Sequence, residues 1–365
     1  MHENRIDEGA LAPARLAPWS WRRPGWRLAL GVLMTGGILA LAFFNRAWLL
    51  EAIGLVRAAQ PAWLLLGLVM IVSSFLMSSQ VFQVVLSALG QRVGVLRLWA
   101  TAVVAIVTSQ VVPAGSVGSY AFLLNSLRHR GVAPAEAALV ATLEALSYAG
   151  AMLMLAVFGL AYLASRILAA DPNGTSLLAP VLAAGITVLL IGGTVLLLTR
   201  STRTLTRWLL RVHKLLARAL RWPRDATWVQ HAVAELTGVR ALVAERRGML
   251  GLLVLLQLTA LCGHSLGMYF ILRSLGTSTS YLTVLSAFGI ALLTSTINVL
   301  PGGGGTVEAA LVAVLTQLGV GAEAVPAAIL FRLLNFWMML PIAAACYGWL
   351  IGDRHVRQVG SSWED

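Results

Sequence analysis

The stretch NVLPGGGGTVEAAL, residues 298–311, interrupts a long apolar run with one proline and four consecutive glycines, and Glu308 follows three residues after the last glycine. Proline and glycine are the strongest helix breakers. Backbone that is not in a helix is costly in lipid, so it must be buried in protein or line a wet cavity. The break therefore predicts a functional cavity, and the alternative is that the glycines only permit close helix packing.

The composition indicates a polytopic membrane protein. The chain of 365 residues is 58% hydrophobic and 12% charged, and its mean hydropathy is +0.81. Soluble domains carry about twice that charged fraction. The net charge of +12 comes from 27 basic and 15 acidic residues. Because the basic residues lie in loops beside apolar runs, we expect them to contact anionic lipid headgroups, with no nucleic-acid partner.

The apolar runs predict an all-α fold with six full spans and two broken apolar segments. The predicted spans cover residues 28–44, 62–89, 134–164, 177–199, 248–273 and 325–351. The broken segments are 98–127, interrupted by VVPAGSVGS, and 281–318, interrupted by the glycine run. Cys262 and Cys346 both lie in apolar runs and indicate core packing, with no metal site or cofactor.

The two broken segments resemble each other. A shift of 188 residues places Pro113 on Pro301 and Gly115 on Gly303 without a gap. The match is short, yet it aligns the two strongest breaks in the chain. It predicts an internal repeat.

Each broken segment is predicted to be a re-entrant helical hairpin. After Gly115 the first segment has about a dozen residues, roughly 18 Å of helix, which is short of the roughly 30 Å hydrocarbon core. With the N-terminus in the cytoplasm, 22 of the 27 basic residues lie inside, four lie outside and Arg332 lies within a span, as the positive-inside rule requires. The hairpins then enter from opposite faces, so the repeat is inverted and both termini are cytoplasmic.

This topology divides the chain into five parts. They are a cytoplasmic basic tail (1–27), a first membrane half (28–199), a cytoplasmic amphipathic linker (200–247), a second membrane half (248–351) and a cytoplasmic tail (352–365). The first apolar run is interpreted as a retained signal anchor, although Ala40-Leu41-Ala42 resembles a cleavage site.

The tips of the two hairpins are the predicted substrate site. Free N–H groups at a helix N-terminus bind anions, so a phosphate or carboxylate is expected at the tip of the second hairpin. The tip residues are Gly302, Gly303, Gly304 and Gly305, with a second and weaker tip at Pro113, Gly115 and Gly118.

Three ionisable residues fall inside the predicted membrane segments: Glu144, Glu308 and Arg332. Such residues usually face a cavity or one another. The shift of 188 maps Glu144 onto Arg332, so we expect these two to lie close together, with Asn335 one turn from Arg332. The alternative is a purely structural ion-pair network.

Residues 200–221 predict a basic amphipathic helix on the cytoplasmic membrane surface. Its basic face includes Arg203, Arg207, Arg211, Lys214 and Arg218. The alternative is a topology anchor alone. His264 is interpreted as a helix–helix hydrogen-bonding residue, with a proton relay as the alternative. No Walker loop, HExxH or GxSxG motif occurs, so we expect no enzyme.

The two breaks also carry a family resemblance. The stretch VLPGGGGTVEAALVAVLTQLGVGAEAVPAAILFRLLNFW resembles the second signature of the lysylphosphatidylglycerol synthase transmembrane-region family, which is flippase-like. TSQVVPAGSVGSYAFLLNSLRHRGVAPAEAALVATLEAL is similar to the first. The chain departs from the family at Tyr120-Ala121-Phe122 and at Ala145, where arginines are usual. No stretch of this sequence resembles the soluble aminoacyl-transfer domain of the full-length synthases.

The resemblance implies a lipid translocase of the bacterial inner membrane that moves a phospho- or glycolipid with an anionic headgroup. Two alternatives stay open. One is a secondary transporter of a small anion, and the other is a membrane accessory protein in envelope glycolipid synthesis that transports nothing. Membrane lipids are the expected partners, together with a second copy of the chain or an envelope-synthesis protein.

Overall fold

The structure is a computed structural model. It describes residues 46–91, 93–111, 115–128, 131–170, 227–245, 248–295 and 306–360, and six residues between 206 and 214. By packing, the chain divides into Met1–Glu51 and Ala52–Asp365, and the contacts below belong to the second unit.

All regular structure in these ranges is helical, which confirms the predicted all-α class. The helices are α1 (Arg46–Ala58), α2 (Pro61–Ala88), α3 (Val95–Val111), α4 (Gly115–Arg128), α5 (Pro134–Ala170), α6 (Thr227–Glu245), α7 (Met249–Ser274), α8 (Tyr281–Ser295), α9 (Thr306–Gln317), α10 (Ala324–Arg332) and α11 (Met339–Gly360), with a π-helical segment, Leu333–Trp337, between α10 and α11.

Four described stretches are long and apolar enough to cross a membrane: Pro61–Ala88, Pro134–Ala169, Met249–Ser274 and Ala324–Leu350. They coincide with four of the predicted spans. The predicted spans 28–44 and 177–199 lie outside the described residues. The arms of the broken segments form shorter apolar helices, Val95–Gln110, Tyr281–Thr294 and Thr306–Gln317. The chain is therefore an integral, polytopic membrane protein.

Helices α2 and α7 pack against each other in opposite directions. Trp63 near the start of α2 stacks on Phe270 near the end of α7, and Ser78 reaches Gln257 further along. Glycines make the approach close, since a Cβ on Gly267 would lie 2.8 Å from Ile71 Cγ1. Small residues allow such backbone approach where lipid provides no hydrophobic drive between helices.

One hydrophobic cluster contains buried residues from the ends of several helices. It joins Val85 at the end of α2, Leu98 at the start of α3, Leu127 at the end of α4, Val132 before α5 and Leu253 at the start of α7. The start of α3 and the end of α4 therefore meet at the same end of the molecule. Helices α3 and α4 therefore run in opposite directions.

Helix α8 packs antiparallel on α5. The Tyr162 and Thr283 hydroxyls share a hydrogen bond of 3.2 Å. Gly159 faces the backbone of Ser286, and Gly289 faces that of Leu155. Helix α3 packs on α11. The first arm of each broken segment thus contacts the long helix that follows the other broken segment.

Candidate functional site

The centre of the candidate site is an ion pair between Arg332 and Glu308. Arg332 is the last residue of α10 and Glu308 lies in the first turn of α9. A guanidinium nitrogen of Arg332 donates to Oε1 of Glu308. The side chains are 18% and 25% exposed, respectively. The Arg332 guanidinium also lies over the Phe336 ring, 5.2 Å from its centroid, which shields one face of the charge.

The position of Glu308 suits a carboxylate. The first turn of a helix carries a partial positive charge from its unpaired N–H groups, and an acidic side chain there is stabilising. Glu308 and Arg332 together form a neutral pair at the N-terminal end of α9, which is the end that follows the glycine run. Any anion that binds at this end competes with Glu308 for Arg332.

Two buried acceptor atoms beside this pair have no hydrogen-bond donor among the described residues. They are Oε2 of Glu308 and Oδ1 of Asn335. Buried polar atoms in folded proteins are nearly always paired with protein or water. The orphaned acceptors therefore indicate a place for water or for the donor groups of a ligand.

Asn335 lies in the π-helical segment Leu333–Trp337. The N–H of Met338 donates to the carbonyl of Leu333 at 2.9 Å, five residues back. Such π-bulges often occur at functional sites. The stretch between Arg332 and Asn335 is therefore partly π-helical, and the expectation that the two residues share one face stays a prediction. Nothing in the sequence indicated the bulge.

His264 of α7 lies against this segment. Its ring makes an edge-to-face contact with Phe75, with 5.2 Å between centroids, and Nδ1 is 3.1 Å from the Ala260 carbonyl. The Asn335 side chain interacts with the same ring. His264 thus joins α7 to α2 and to the π segment, in agreement with its interpretation as a helix–helix contact.

Glu144 of α5 occupies a different position. Glu144 is half-buried and lies beside Gln257 of α7, with Tyr148 one turn away on the same helix. Ser78 of α2 donates to Oε1 of Gln257 at 3.2 Å. In the sequence Gln257 lies two turns before His264 and is interpreted in the same way, as a helix–helix hydrogen-bonding residue. Its bond to Ser78 agrees with that interpretation. The expected approach of Glu144 to Arg332 stays a prediction.

The remaining predicted site residues are described only in part. Gly115 and Gly118 lie in the first turn of α4. Arg207, Arg211 and Lys214 are exposed in helical backbone. Residues outside the described ranges are Gly302, Gly303, Gly304, Gly305, Pro113, Arg203 and Arg218. No group of three or more His, Cys, Asp or Glu that could hold a metal ion occurs among the described residues.

Known proteins settle the family. The model of the lysylphosphatidylglycerol synthase TM region family matches residues 26–343. The chain belongs to this family. Glu308, Arg332 and Glu144 all lie within the matched residues.

This member of the lysylphosphatidylglycerol synthase TM region family is also similar to a UPF0104 membrane protein of Methanothermobacter thermautotrophicus (strain Delta H). The two are 27% identical over 153 residues, which is 39% of this chain and 45% of the relative. The match thus covers less than half of that relative's length.

The family resemblance predicted an arginine after the glutamate of the third span. This lysylphosphatidylglycerol synthase TM region protein has Ala145 there, and Ala145 is exposed. Glu144 itself turns toward Gln257. Glu144 therefore lies beside a neutral amide, whereas Glu308 lies beside a guanidinium.

Proposed function

We propose that this protein is a translocase that moves a lipid with an anionic headgroup across the bacterial inner membrane. The observation that carries the proposal is the Glu308–Arg332 pair. It lies within apolar helices, next to two orphaned acceptors and three residues after a run of four glycines. Ionisable side chains at such depth mark substrate pathways by default.

In the proposed mechanism the headgroup phosphate takes the place of the Glu308 carboxylate on Arg332. Arginine binds phosphate and carboxylate in the same planar, bidentate geometry. The exchange keeps a negative group on Arg332 throughout, so no unpaired guanidinium is left at low dielectric. The displaced Glu308 carboxylate would accept hydrogen bonds from ammonium or hydroxyl groups of the same headgroup. Glycines 302–305 would let the phosphate approach backbone N–H groups at the start of α9.

The orphaned acceptors extend this site toward the rest of a headgroup. Oε2 of Glu308 and Oδ1 of Asn335 can accept hydrogen bonds from hydroxyl or ammonium groups. Phospholipid and glycolipid headgroups combine a phosphate with such donors. The Glu308–Arg332 pair and the two orphaned acceptors therefore suit an amphiphile that carries a phosphate with at least one hydrogen-bond donor nearby.

The packing supports an inverted repeat around this site. The shift of 188 residues places Pro61, where α2 begins, on Met249, where α7 begins, and these two helices pack antiparallel. It also relates the contact of α3 with α11 to the contact of α8 with α5. Paired, interchanged contacts of this kind are expected of two halves related by a two-fold axis in the membrane plane.

The direction of α7 also bears on the hairpins. If the stretch 177–199 spans once and 95–128 turns back, two crossings separate α2 from α7, and the two helices run antiparallel. If 95–128 crossed once, three crossings would separate them and they would run parallel. The antiparallel contacts of Trp63 with Phe270 and of Ser78 with Gln257 favour the re-entrant hairpin.

Reconstitution tests the proposal. Purified protein in liposomes should move labelled anionic phospholipids between leaflets, and Arg332→Ala and Glu308→Gln should each slow movement at least tenfold. Arg166→Gln, an exposed arginine near the end of α5, is the matched control and should move lipid at the normal rate. A chain that moves only a water-soluble anion, with lipid exchange at the rate of empty liposomes, would be the small-anion transporter instead.

A further inference from the structure

Arg273 lies where two long apolar helices end and begin. It is in the last turn of α7, and Trp63 is in the first turn of α2. Both helices are long and apolar enough to cross a membrane. At 1.5 Å per residue the 26 residues of α7 measure about 39 Å, close to the roughly 40 Å of a bilayer with its headgroup layers. The last turn of α7 is therefore expected at the level of the lipid headgroups.

Two aromatic rings lie against the Arg273 guanidinium. Its central carbon is 5.7 Å from the centroid of the Tyr269 ring and 6.0 Å from that of the Trp63 ring. Trp63 in turn stacks on Phe270, with 5.6 Å between centroids, and Tyr269 makes an edge-to-face contact with Tyr281 at 5.9 Å. Each of the two rings is thus held by another ring. A cation over an aromatic face is attracted to it, and this attraction uses none of the N–H donors of the guanidinium.

The charge and most of the donors of Arg273 have no counterpart in the described part of the chain. Nη1 donates to the Thr277 carbonyl at a long 3.4 Å, and no other hydrogen bond or ion pair joins Arg273 to a residue that the structure describes. Arg273 is half-buried, so water compensates its charge only in part. The buried Thr277 hydroxyl also has no partner among the described residues. Arg332, by contrast, is neutralised by Glu308.

A phosphate group would supply the missing charge and acceptors. Arginine binds phosphate through two parallel N–H groups. At the end of a membrane-spanning helix, phosphate is present in the headgroups of phospholipids. The acyl chains of such a lipid could lie along the exposed apolar side chains in the following turns of α2, which are Leu65, Leu66 and Val69.

We propose that Arg273, Trp63 and Tyr269 form a binding site for the headgroup of an anionic phospholipid, here called the Arg273 site. The guanidinium binds the phosphate, and the two rings fix the guanidinium. The site is separate from the Glu308–Arg332 pair, because Arg273 lies nine residues beyond His264, about 14 Å further along α7. It would hold a lipid whether or not the protein transports one.

Native mass spectrometry of the purified protein tests the Arg273 site. The protein is saturated in detergent with dioctanoyl phosphatidylglycerol, and the lipid molecules that it retains are counted. Arg273→Gln should retain one molecule fewer than the wild type. With dioctanoyl glycerol, which has the same acyl chains and no phosphate, the two proteins should retain the same number. Arg166→Gln, which changes an exposed arginine near the end of α5, is the matched control and should retain as much phosphatidylglycerol as the wild type.

Three outcomes would overturn the proposal. One is equal retention of phosphatidylglycerol by the wild type and Arg273→Gln. Another is the same loss in Arg166→Gln, because the effect would then come from overall charge. The third is displacement of the lipid by glycerol phosphate at the same concentration, which would make the occupant a water-soluble anion.

Two further variants keep the test decisive. If Arg273→Gln does not fold, Arg273→Lys takes its place. Lysine keeps the charge but lacks the planar pair of donors, so the affinity for phosphatidylglycerol should fall about fivefold, and an unchanged affinity would overturn the site. In an Arg332→Ala background, Arg273→Gln should still remove one bound lipid. That result would leave the Arg273 site standing even if the proposed transport function failed.

Discussion

Arg332 at the end of α10 and Glu308 in the first turn of α9 form an ion pair that joins the two helices around the site. Both side chains are largely withdrawn from solvent, so each depends on the other for compensation of its charge. Substitutions at this pair can affect both folding and the proposed transport. Experiments must therefore measure the two effects separately.

A double-mutant cycle at this pair should show strong coupling. Arg332→Ala and Glu308→Ala each leave one charge uncompensated, and we expect each to lower the free energy of unfolding by about 3 kcal/mol. The double variant should lose less than the sum, with a coupling energy of about 1–3 kcal/mol. Thermal unfolding in detergent measures this. Strictly additive effects would mean that the two side chains do not interact in solution.

The contact between α5 and α8 should depend on a glycine. A Cβ on Gly289 would press against the Leu155 backbone carbonyl, which cannot move aside as a flexible side chain can. Gly289→Ala should lower the unfolding free energy by about 1–3 kcal/mol. The control is Gly251→Ala on α7, where nothing lies within 4 Å. It should be neutral or stabilising by up to about 1 kcal/mol, and equal effects of the two substitutions would contradict the packing.

Some features of this fold can be predicted from the sequence, and others cannot. The long spans were predicted because apolar length alone determines whether a helix crosses a bilayer, and Pro61 and Pro134 mark two of their starts. The pairing of helices was not predicted. Lipid and apolar side chains are equally apolar, so partners are chosen by local shape, as at Gly267 against Ile71.

The same contrast holds for the candidate site, where the residues could be predicted from the sequence but their partners could not. Glu144, Glu308 and Arg332 could be selected from sequence because ionisable residues are rare in apolar helices. Their partners could not, since Arg332 pairs with Glu308 while Glu144 meets Gln257. The π segment depends on a backbone bond from Met338 to Leu333 that no residue type demands.

Cysteine labelling should place both ends of the segment 95–128 on one side of the membrane. The cluster that joins Leu98 to Leu127 predicts this. In a background with Cys262 and Cys346 replaced by alanine, Leu96→Cys and Arg128→Cys should react with an impermeant maleimide from the same compartment, because both positions are exposed. Reaction from opposite compartments would mean that the segment crosses the membrane once, and it would contradict the inverted repeat.

Asn335→Leu should separate stability from transport. The substitution removes a buried Oδ1 that has no donor among the described residues. Relief of that unsatisfied group offsets the loss of the Asn335 contact with the His264 ring. We expect a nearly unchanged unfolding temperature, together with lipid movement slowed about tenfold if the acceptor serves a headgroup donor, a loss of about 1.4 kcal/mol.

The matched control for Asn335→Leu is Thr259→Val, which removes an exposed hydroxyl bonded within α7 to the Leu255 carbonyl and should change neither property. The measurements are thermal unfolding and lipid flip-flop on the same preparation. If Asn335→Leu moves lipid at the normal rate, the orphaned acceptor serves only the packing of the π segment against His264, and the substrate contacts must be sought on the Glu308 side of the site.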